Sequence, residues 1–396
     1  MKKILMASAA TLALAGAAHA DAHGGVTLGV LLGFTGPAES LAPGMASGAE
    51  LAMSEVTESG QLLGGMAVTS ARGDSACDAT LSVAAAERLI TAEGVDGIVG
   101  ALCSGATIPA LTNVAVPNGM VMISPSATSP ALSTIEDNGL FFRTAPSDAR
   151  QGVVMAENIM DRGFTSVAVT YTNNDYGQGL ADSFAAAFQE MGGTVTLVAS
   201  HEENRADYSA EVGALAAAGG EVLVVAGYVD GGGSGIIQAA LDSGAFDTFV
   251  LPDGMVGAQL VANFGTQIDG SFGQFPGTDS EGSNIYFGLA EAAGFDGTSA
   301  FSAEGYDAAA LILLAMQAAG STTPTDYAAH IMDVANAPGE PILPGELGRA
   351  LELIAAGTDI DYVGATAVEL IGGGESAGNY REIEIQNGEI ATVNFR

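Results

Sequence analysis

Ser104 stands directly after the apolar run Asp96–Gly100, where a helical pattern begins. A serine there either caps the helix, worth about 1 kcal/mol, or offers its hydroxyl, beside the helix's free N–H groups, to a carboxylate. Spacing leaves both roles open. Asp253 lies in Leu251-Pro252-Asp253-Gly254, after another apolar run. It is either the tip of a Pro-Asp-Gly turn or an anionic acceptor for an ammonium group. Ser126 and Thr128 follow Pro125, where turn chemistry is the ordinary role. Tyr176 and Tyr228 also follow strand-like runs, in a chain with nine tyrosines and no tryptophan. They are either structural or the flat walls of a pocket.

What is missing prunes the chemistry further. All 11 basic residues are Lys2, Lys3 and nine arginines. Beyond Lys3 there is no lysine for a P-loop or a Schiff base. Among the four histidines, His23, His201 and His330 follow the leader described below. No H-E-x-x-H, G-x-S-x-G or C-x-x-C occurs. The usual signatures of an enzyme are therefore absent, and binding is expected to need no metal or cofactor.

The elements that must position these residues alternate. Strand-like runs at Val26–Leu32, Ala67–Ala71, Asp96–Gly100 and Met120–Ile123 are separated by helical patterns at Pro43–Val56, Asp78–Ala92 and from Gly105. In the first helix Met45, Ala49, Ala52 and Val56 share a face. A break at Thr144–Ser147 precedes a second series. Its strands are Ser166–Thr172, Thr194–Ala199, Glu221–Ala226 and Thr248–Leu251; its helices are Gln151–Arg162, Tyr176–Met191, Tyr208–Ala218 and Ser234–Ser243. A Gly/Pro-rich stretch at Phe272–Thr278 follows, then helices near Ser299–Ala319, Thr325–Asn336 and Glu346–Ala356. The tail reads as a hairpin, Tyr380–Gln386 and Glu389–Phe395, around Asn387-Gly388. Alternation of this kind gives parallel sheets with helices on both faces. The length predicts two lobes. Crevices beyond the strand C-termini of two facing lobes make a clamp.

Those strand ends carry an ordered set of short motifs. Gly33-Phe34-Thr35-Gly36-Pro37 comes first, then Asp74-Ser75-Ala76-Cys77-Asp78 and Gly100-Ala101-Leu102-Cys103-Ser104. Ile123-Ser124-Pro125-Ser126-Ala127-Thr128, Asn174-Asp175-Tyr176-Gly177, Gly227-Tyr228 and Leu353–Val363 follow. In this order they resemble the leucine/isoleucine/valine-binding protein family, the type I periplasmic binding proteins. The resemblance implies a two-lobed α/β clamp, with lobes of 26–145 plus 279–362 and 147–276 plus 365–396. Three crossovers are implied near Ala145–Ser147, Gly273–Gly277 and Val363–Gly378. It implies capture of an aliphatic amino acid for an ABC permease complex in the inner membrane, by a monomer. Ser104, Thr128 and the backbone at Ser126 would hold the carboxylate, Asp253 the ammonium, and Tyr176 and Tyr228 would cover the ligand. The family usually has a Glu at Asp253 and often an aromatic at Leu41. Both departures keep open an amide, urea or small carboxylate as ligand. A periplasmic sensor subunit is the other alternative.

The remaining features bear on compartment. Met1-Lys2-Lys3, the apolar run Ile4–Ala18 and Ala18-His19-Ala20 form a secretory leader, residues 1–20, with cleavage expected after about Ala20 into the periplasm. Cys77 and Cys103 then read as a disulfide, worth about 3.5 kcal/mol on chain-entropy grounds. Removing Lys2 and Lys3 leaves nine arginines against 46 acids, a formal charge of −37. That field repels nucleic acid and suits a saline medium. Gly231–Gly235 could cradle an anion but fails G-x-G-x-x-G at Ile236, and reads as a connection. Asp21-Ala22-His23 would become a terminal Cu(II) or Ni(II) nest, against the ordinary expectation of a loose end.

Overall fold

Gly25–Leu32 and Val222–Ala226 are apolar almost without interruption and buried on both faces, which only a strand inside a covered parallel sheet can be. Each is central to one of two sheets in the computed structural model, which describes residues Gly24–Arg396. The expected leader and the Asp21-Ala22-His23 terminus lie outside the described residues.

The first sheet contains β1 (Gly25–Leu32), β2 (Ala67–Asp74), β3 (Gly97–Gly100), β4 (Met122–Ser124) and β5 (Phe141–Pro146), in the spatial order β5-β4-β3-β1-β2, all parallel. The second contains β6 (Ser166–Thr172), β7 (Thr194–His201), β8 (Val222–Ala226), β9 (Phe249–Leu251) and β10 (Phe272–Pro276), ordered β10-β9-β8-β6-β7, again parallel. β11 (Glu340–Ile342) and β12 (Ile360–Tyr362) form a separate small ladder. β13 (Leu370–Ile371) and β14 (Glu375–Ser376) edge the first sheet, and β15 (Tyr380–Gln386) and β16 (Glu389–Phe395) close the second. Each five-strand core doubles back at its first strand. The switch points therefore fall between β1 and β3, and between β6 and β8.

Helices cover the sheets. α1 (Ala42–Ser59), α2 (Ala79–Thr91) and α3 (Ser104–Ala110) follow β1, β2 and β3. α4 (Asp148–Asp161) follows β5, and α5 (Asp175–Glu190), α6 (Ser209–Ala218), α7 (Gly232–Ser243) and α8 (Ala258–Phe264) serve the second sheet. After β10 the chain returns as α9 (Glu281–Ala293) and α10 (Ser302–Ala319), then α11 (Pro324–Tyr327), α12 (Ile331–Ala335) and α13 (Leu347–Ala355). The predicted face Met45, Ala49, Ala52 and Val56 is fully buried. α1 packs on α10 through Gly48, which meets the Ser302 carbonyl, and Gly305, which meets the Met45 carbonyl. A methyl at either glycine would have no room, so the two backbones approach closely only with these residues. Asp78 caps α2 from two N–H groups, Ser147 caps α4 and Asn174 caps α5, so the entries to these helices are fixed locally.

Four expectations differ from the structure. Phe272–Pro276 is a buried strand, not a turn-rich break; Gly273 lets its backbone pass the Leu251 carbonyl, and Pro276 ends the strand. The stretch from Phe141 stays extended through Pro146, into the break predicted at Thr144–Ser147. Thr325–Asn336 is split into α11, a 3-10 turn at Ala328–His330 and α12. Residues 370–376, read with the C-terminal lobe, hydrogen-bond in the first sheet, β14 against β5. Two-residue strands flanked by glycines carry no alternation that could announce them. The Asn387-Gly388 turn has φ of 55° and 73°, as a type I′ hairpin requires. The disulfide joins Cys77 to Cys103, 26 residues apart, and ties the β2–α2 loop to the start of α3.

Candidate ligand-binding site

Both switch points open toward one crevice. From the first sheet come Leu41 after β1, Leu102, Cys103 and Ser104 after β3, and Ser126 after β4. From the second come Tyr176 after β6, Tyr228 after β8, and Asp253 with Gly254 after β9. Phe301, just before α10, completes a cavity of about 20 Å³. That is room for about one water, so the two lobes are closed on each other here. Ser40 N–H donates to Asp230 Oδ2 at 2.8 Å, and Asp230 N–H to the Pro37 carbonyl at 3.0 Å. These bonds run between the β1–α1 loop of one lobe and the β8–α7 loop of the other.

The first lobe presents hydroxyls. Cys103, not Ser104, is the cap residue of α3, and it makes no side-chain cap bond. Ser104 opens the helix, and its Oγ accepts from Ser129 N–H at 3.0 Å. The capping alternative for Ser104 therefore fails, and its proton is free to donate elsewhere. Ser126 Oγ donates to the Leu102 carbonyl at 3.0 Å. Thr128 does not line the cavity; its hydroxyl is buried without a well-formed hydrogen bond. Leu41 is buried at the entry to α1 and, from the first lobe, touches the position of Gly257 in the second.

The second lobe presents a carboxyl and two rings. Asp253 opens a short 3-10 turn after Pro252, so the turn reading and the pocket position are both met. Its Oδ1 accepts from the Tyr176 hydroxyl at 2.6 Å and from Gly254 N–H at 2.7 Å. Tyr176 and Tyr228 stack with centroids 5.1 Å apart. Burial pushes the Asp253 carboxyl up to about 6, against the lowering effect of Tyr176, Gly254 and Gln151. Burial also pushes both tyrosine hydroxyls upward, with the Asp253 charge adding to the shift at Tyr176.

Several contributors were not visible in the sequence. Gln151, on α4, faces Asp253: in the orientation that satisfies its neighbours, its amide nitrogen donates to Asp253 Oδ2 at 3.1 Å and to Asp148 Oδ1 at 2.8 Å, and its oxygen accepts from Asp253 N–H at 3.2 Å. Asp148, the first residue of α4, is fully buried. Phe301 reaches the cavity from a left-handed backbone, φ 62°, an uncommon state for an aromatic residue. An acid in the first helical turn after Pro-Ser is a signal for Asp148, but it reads equally as a helix-dipole partner. The Gly231–Gly235 loop is no open anion cradle. Glu203 Oε2 accepts from Gly232 N–H at 2.5 Å, so the chain supplies its own anion to the start of α7. His201, beside it, is buried and pushed down to about 4, hence neutral. Among the described residues there is no cluster of His, Cys, Asp and Glu suited to a metal ion, and no helix is long and apolar enough to cross a membrane.

Comparison with known proteins gives a consistent set of likenesses. The sequence model of the periplasmic binding proteins matches residues 25–347. The Leu/Ile/Val-binding protein homolog 1 of Brucella melitensis is 32% identical over 337 residues, 83% of this chain and 87% of that protein. The substrate-binding protein BasB of a chemotactic signal transduction system in Halobacterium salinarum is 28% identical over 351 residues, 86% of this chain and 82% of that one. Among solved structures, a leucine-binding protein from Thermotoga maritima superposes with a TM-score of 0.79 at 22% identity, covering 93% of this chain and 98% of its own. The branched-chain amino acid binding protein LivJ of Streptococcus pneumoniae, solved with isoleucine, gives 0.78 at 19%, covering 94% and 99%. A solute-binding protein from R. palustris, solved with benzoate, gives 0.75 at 17%, covering 94% and 96%.

Proposed function

We infer the function from one premise: the chain belongs to the periplasmic binding protein family, in its branched-chain amino acid ABC transporter branch. Its two sheets with flanking helices have the two-lobed type I architecture. On that premise the chain captures an aliphatic amino acid between its lobes and delivers it, as a monomer, to a permease complex in the inner membrane. It works in the periplasm after cleavage near Ala20, and it is not an enzyme. The lobes are 26–145 with 279–362, and 147–276 with the hairpin from Tyr380; residues 370–376 go with the first.

The observation that carries this reading is the segregation of polarity across the crevice. Ser104 and Ser126 lie on the first-lobe side, the Ser104 hydroxyl with its proton free and the Ser126 hydroxyl bonded to the Leu102 carbonyl. The one carboxyl lining the cavity, Asp253, lies on the other, and Leu41, Leu102 and Phe301 are the apolar wall. A zwitterion with an aliphatic side chain meets each of these chemistries once. In this reading the Ser104 hydroxyl and the Ser126 backbone take the carboxylate, with Thr128 outside the cavity, Asp253 takes the ammonium, and Tyr176 and Tyr228 seal the second-lobe side. Ligand binding requires the lobes to part first, because the closed cavity is too small for an amino acid.

The test is a thermal-shift screen of protein unfolded and refolded to strip ligand, against Leu, Ile, Val, other amino acids, amides, urea and benzoate. A ligand at a hundred times its Kd adds about 2.7 kcal/mol. A shift with aliphatic amino acids is expected, and Asp253→Ala should abolish it while the fold, read by circular dichroism, persists. A shift with benzoate alone would favour the second reading, a small carboxylate. That reading draws support from the Asp253 carboxyl being already bonded within the lobe, and pushed up to about 6 by burial. The likeness to BasB favours a sensor role beside transport; the two roles share the same ligand test.

A further inference from the structure

Asp148 has no part in the ligand reading so far, yet it is fully buried beside the crevice. Its N–H donates to the Thr128 carbonyl at 2.8 Å, and its Oδ1 accepts from Gln151. Its Oδ2 is buried without a well-formed hydrogen bond, although the Thr128 hydroxyl is near enough to favour the ionised form. Two buried carboxyls, Asp148 and Asp253, therefore share one amide donor.

The surrounding charges compensate them only in part: the Arg143 charge favours the ionised form of Asp148. Arg143 on β5 is the nearest buried cation, but its N–H groups go to the Ala127 and Ser129 carbonyls, Ser133 Oγ and Glu375 Oε2. Arg150, on α4 itself, is exposed. Tyr176 from α5, Tyr228 from the β8–α7 loop and Tyr380 from β15 are all pushed upward by burial and stay neutral. Gln274 on β10 is neutral, and Glu203, from the end of β7, adds negative field at Tyr228. Burial, reinforced by the charge of Asp253, pushes Asp148 well above its ordinary value, against the lowering effect of the Thr128 hydroxyl and the Arg143 charge. Two buried anions this close, with Arg143 committed to other partners, do not both persist.

We propose that Asp148 and Asp253 hold one proton between them in the free protein, and that a ligand ammonium arriving at Asp253 expels that proton to solvent. The ammonium supplies the cation the site lacks, both carboxyls ionise, and one proton leaves for each cationic group bound. Asp148 is a positioning residue acting through Gln151, and the proton belongs to the pair rather than to either oxygen. A ligand without an ammonium leaves the proton in place. This inference rests on the amino-acid reading of the crevice, so its test has a ligand-free arm.

Calorimetric titration with L-leucine near neutral pH, in buffers of different ionisation heat, counts protons directly. Release of about one proton per leucine is expected, with none for benzoate and none for Asp148→Asn. In the wild-type protein the leucine affinity should rise by up to about tenfold per pH unit, then level off once the free pair has ionised. Leucine binding with buffer-independent heat, or unchanged release in Asp148→Asn, overturns the proposal. If leucine does not bind, the ligand reading fails, and the proton is sought in the free protein. There, carboxyl NMR of aspartate-labelled protein should show one Asp carboxyl still protonated near neutrality and missing from Asp148→Asn. Two fully ionised carboxyls would overturn the proposal independently of any ligand.

Discussion

Glu304 lies in the first turn of α10, buried beside Asp307, with Arg381 as its compensating charge. Burial raises its carboxyl from 4.5 to about 8, and Asp307 adds to the shift. Folded protein thus keeps a proton that unfolded protein loses near 4.5. The stability this gives is fully present below the unfolded value and is lost as pH rises through the folded one. Asp307, pushed up to about 6 by burial, works in the same direction. Urea unfolding should therefore show greater stability at pH 5 than at pH 8, and Glu304→Gln should remove much of that difference. A flat profile in the wild type would mean that water or a rearranged Arg381 solvates the ion. Residues of this kind mark the limit of what a sequence shows. Ser104, Ser126, Tyr176, Tyr228, Asp253 and Leu41 were legible because each follows a strand, and strand ends converge. Phe301 was not, because its place depends on how one lobe meets the other, nor were Asp148 and Gln151, which reach Asp253 from a separate helix of the same lobe. No local spacing encodes either contact.

Asp230 belongs to the connection between β8 and α7, outside the residues lining the cavity. Its carboxylate and N–H meet the β1–α1 loop at Ser40 and Pro37, so two loops from opposite lobes close on each other beside the site. Asp230→Ala should weaken leucine binding about fivefold, the equivalent of a hydrogen bond worth ~1 kcal/mol. Small-angle scattering should show a more open ligand-free protein, and an unchanged scattering profile would remove the latch. Elements of this lobe were read well where their patterns were long, as in α5 and β8. They were misread where burial replaced pattern. β10 is a strand of phenylalanines, glycine and proline whose ladder with β9 and β15, not its composition, makes it extended. The α11–α12 segment has helical periodicity over Thr325–Asn336, but its second turn tightens at Ala328–His330 and splits the helix.

At the scale of the molecule, charge is the dominant feature. Seven of the nine arginines, 72, 88, 143, 162, 205, 349 and 396, are already in ion pairs with acids. Arg381 lies over the rings of Phe275, Phe287 and Phe395. Most of the 46 acids therefore face one another through solvent. Screening shortens from about 10 Å at 0.1 M salt to about 3 Å at 1 M, so the melting temperature should rise over that range of NaCl. A fall would show that the paired arginines matter more than the surplus acids. The order of strands has a different consequence, for how the chain is made. Both sheets take strands from the final segment: β14 joins the first, and β15 with β16 the second. During synthesis, neither lobe has all its strands until this segment emerges: Glu375 of β14 pairs with Arg143 of β5, and Glu384 of β15 with Phe272 of β10, both far back along the chain. Non-local closure of that kind is slow. The growing polypeptide stays incompletely folded until β14 to β16 have emerged, which is the condition a chain must be in to be threaded through a membrane before it folds.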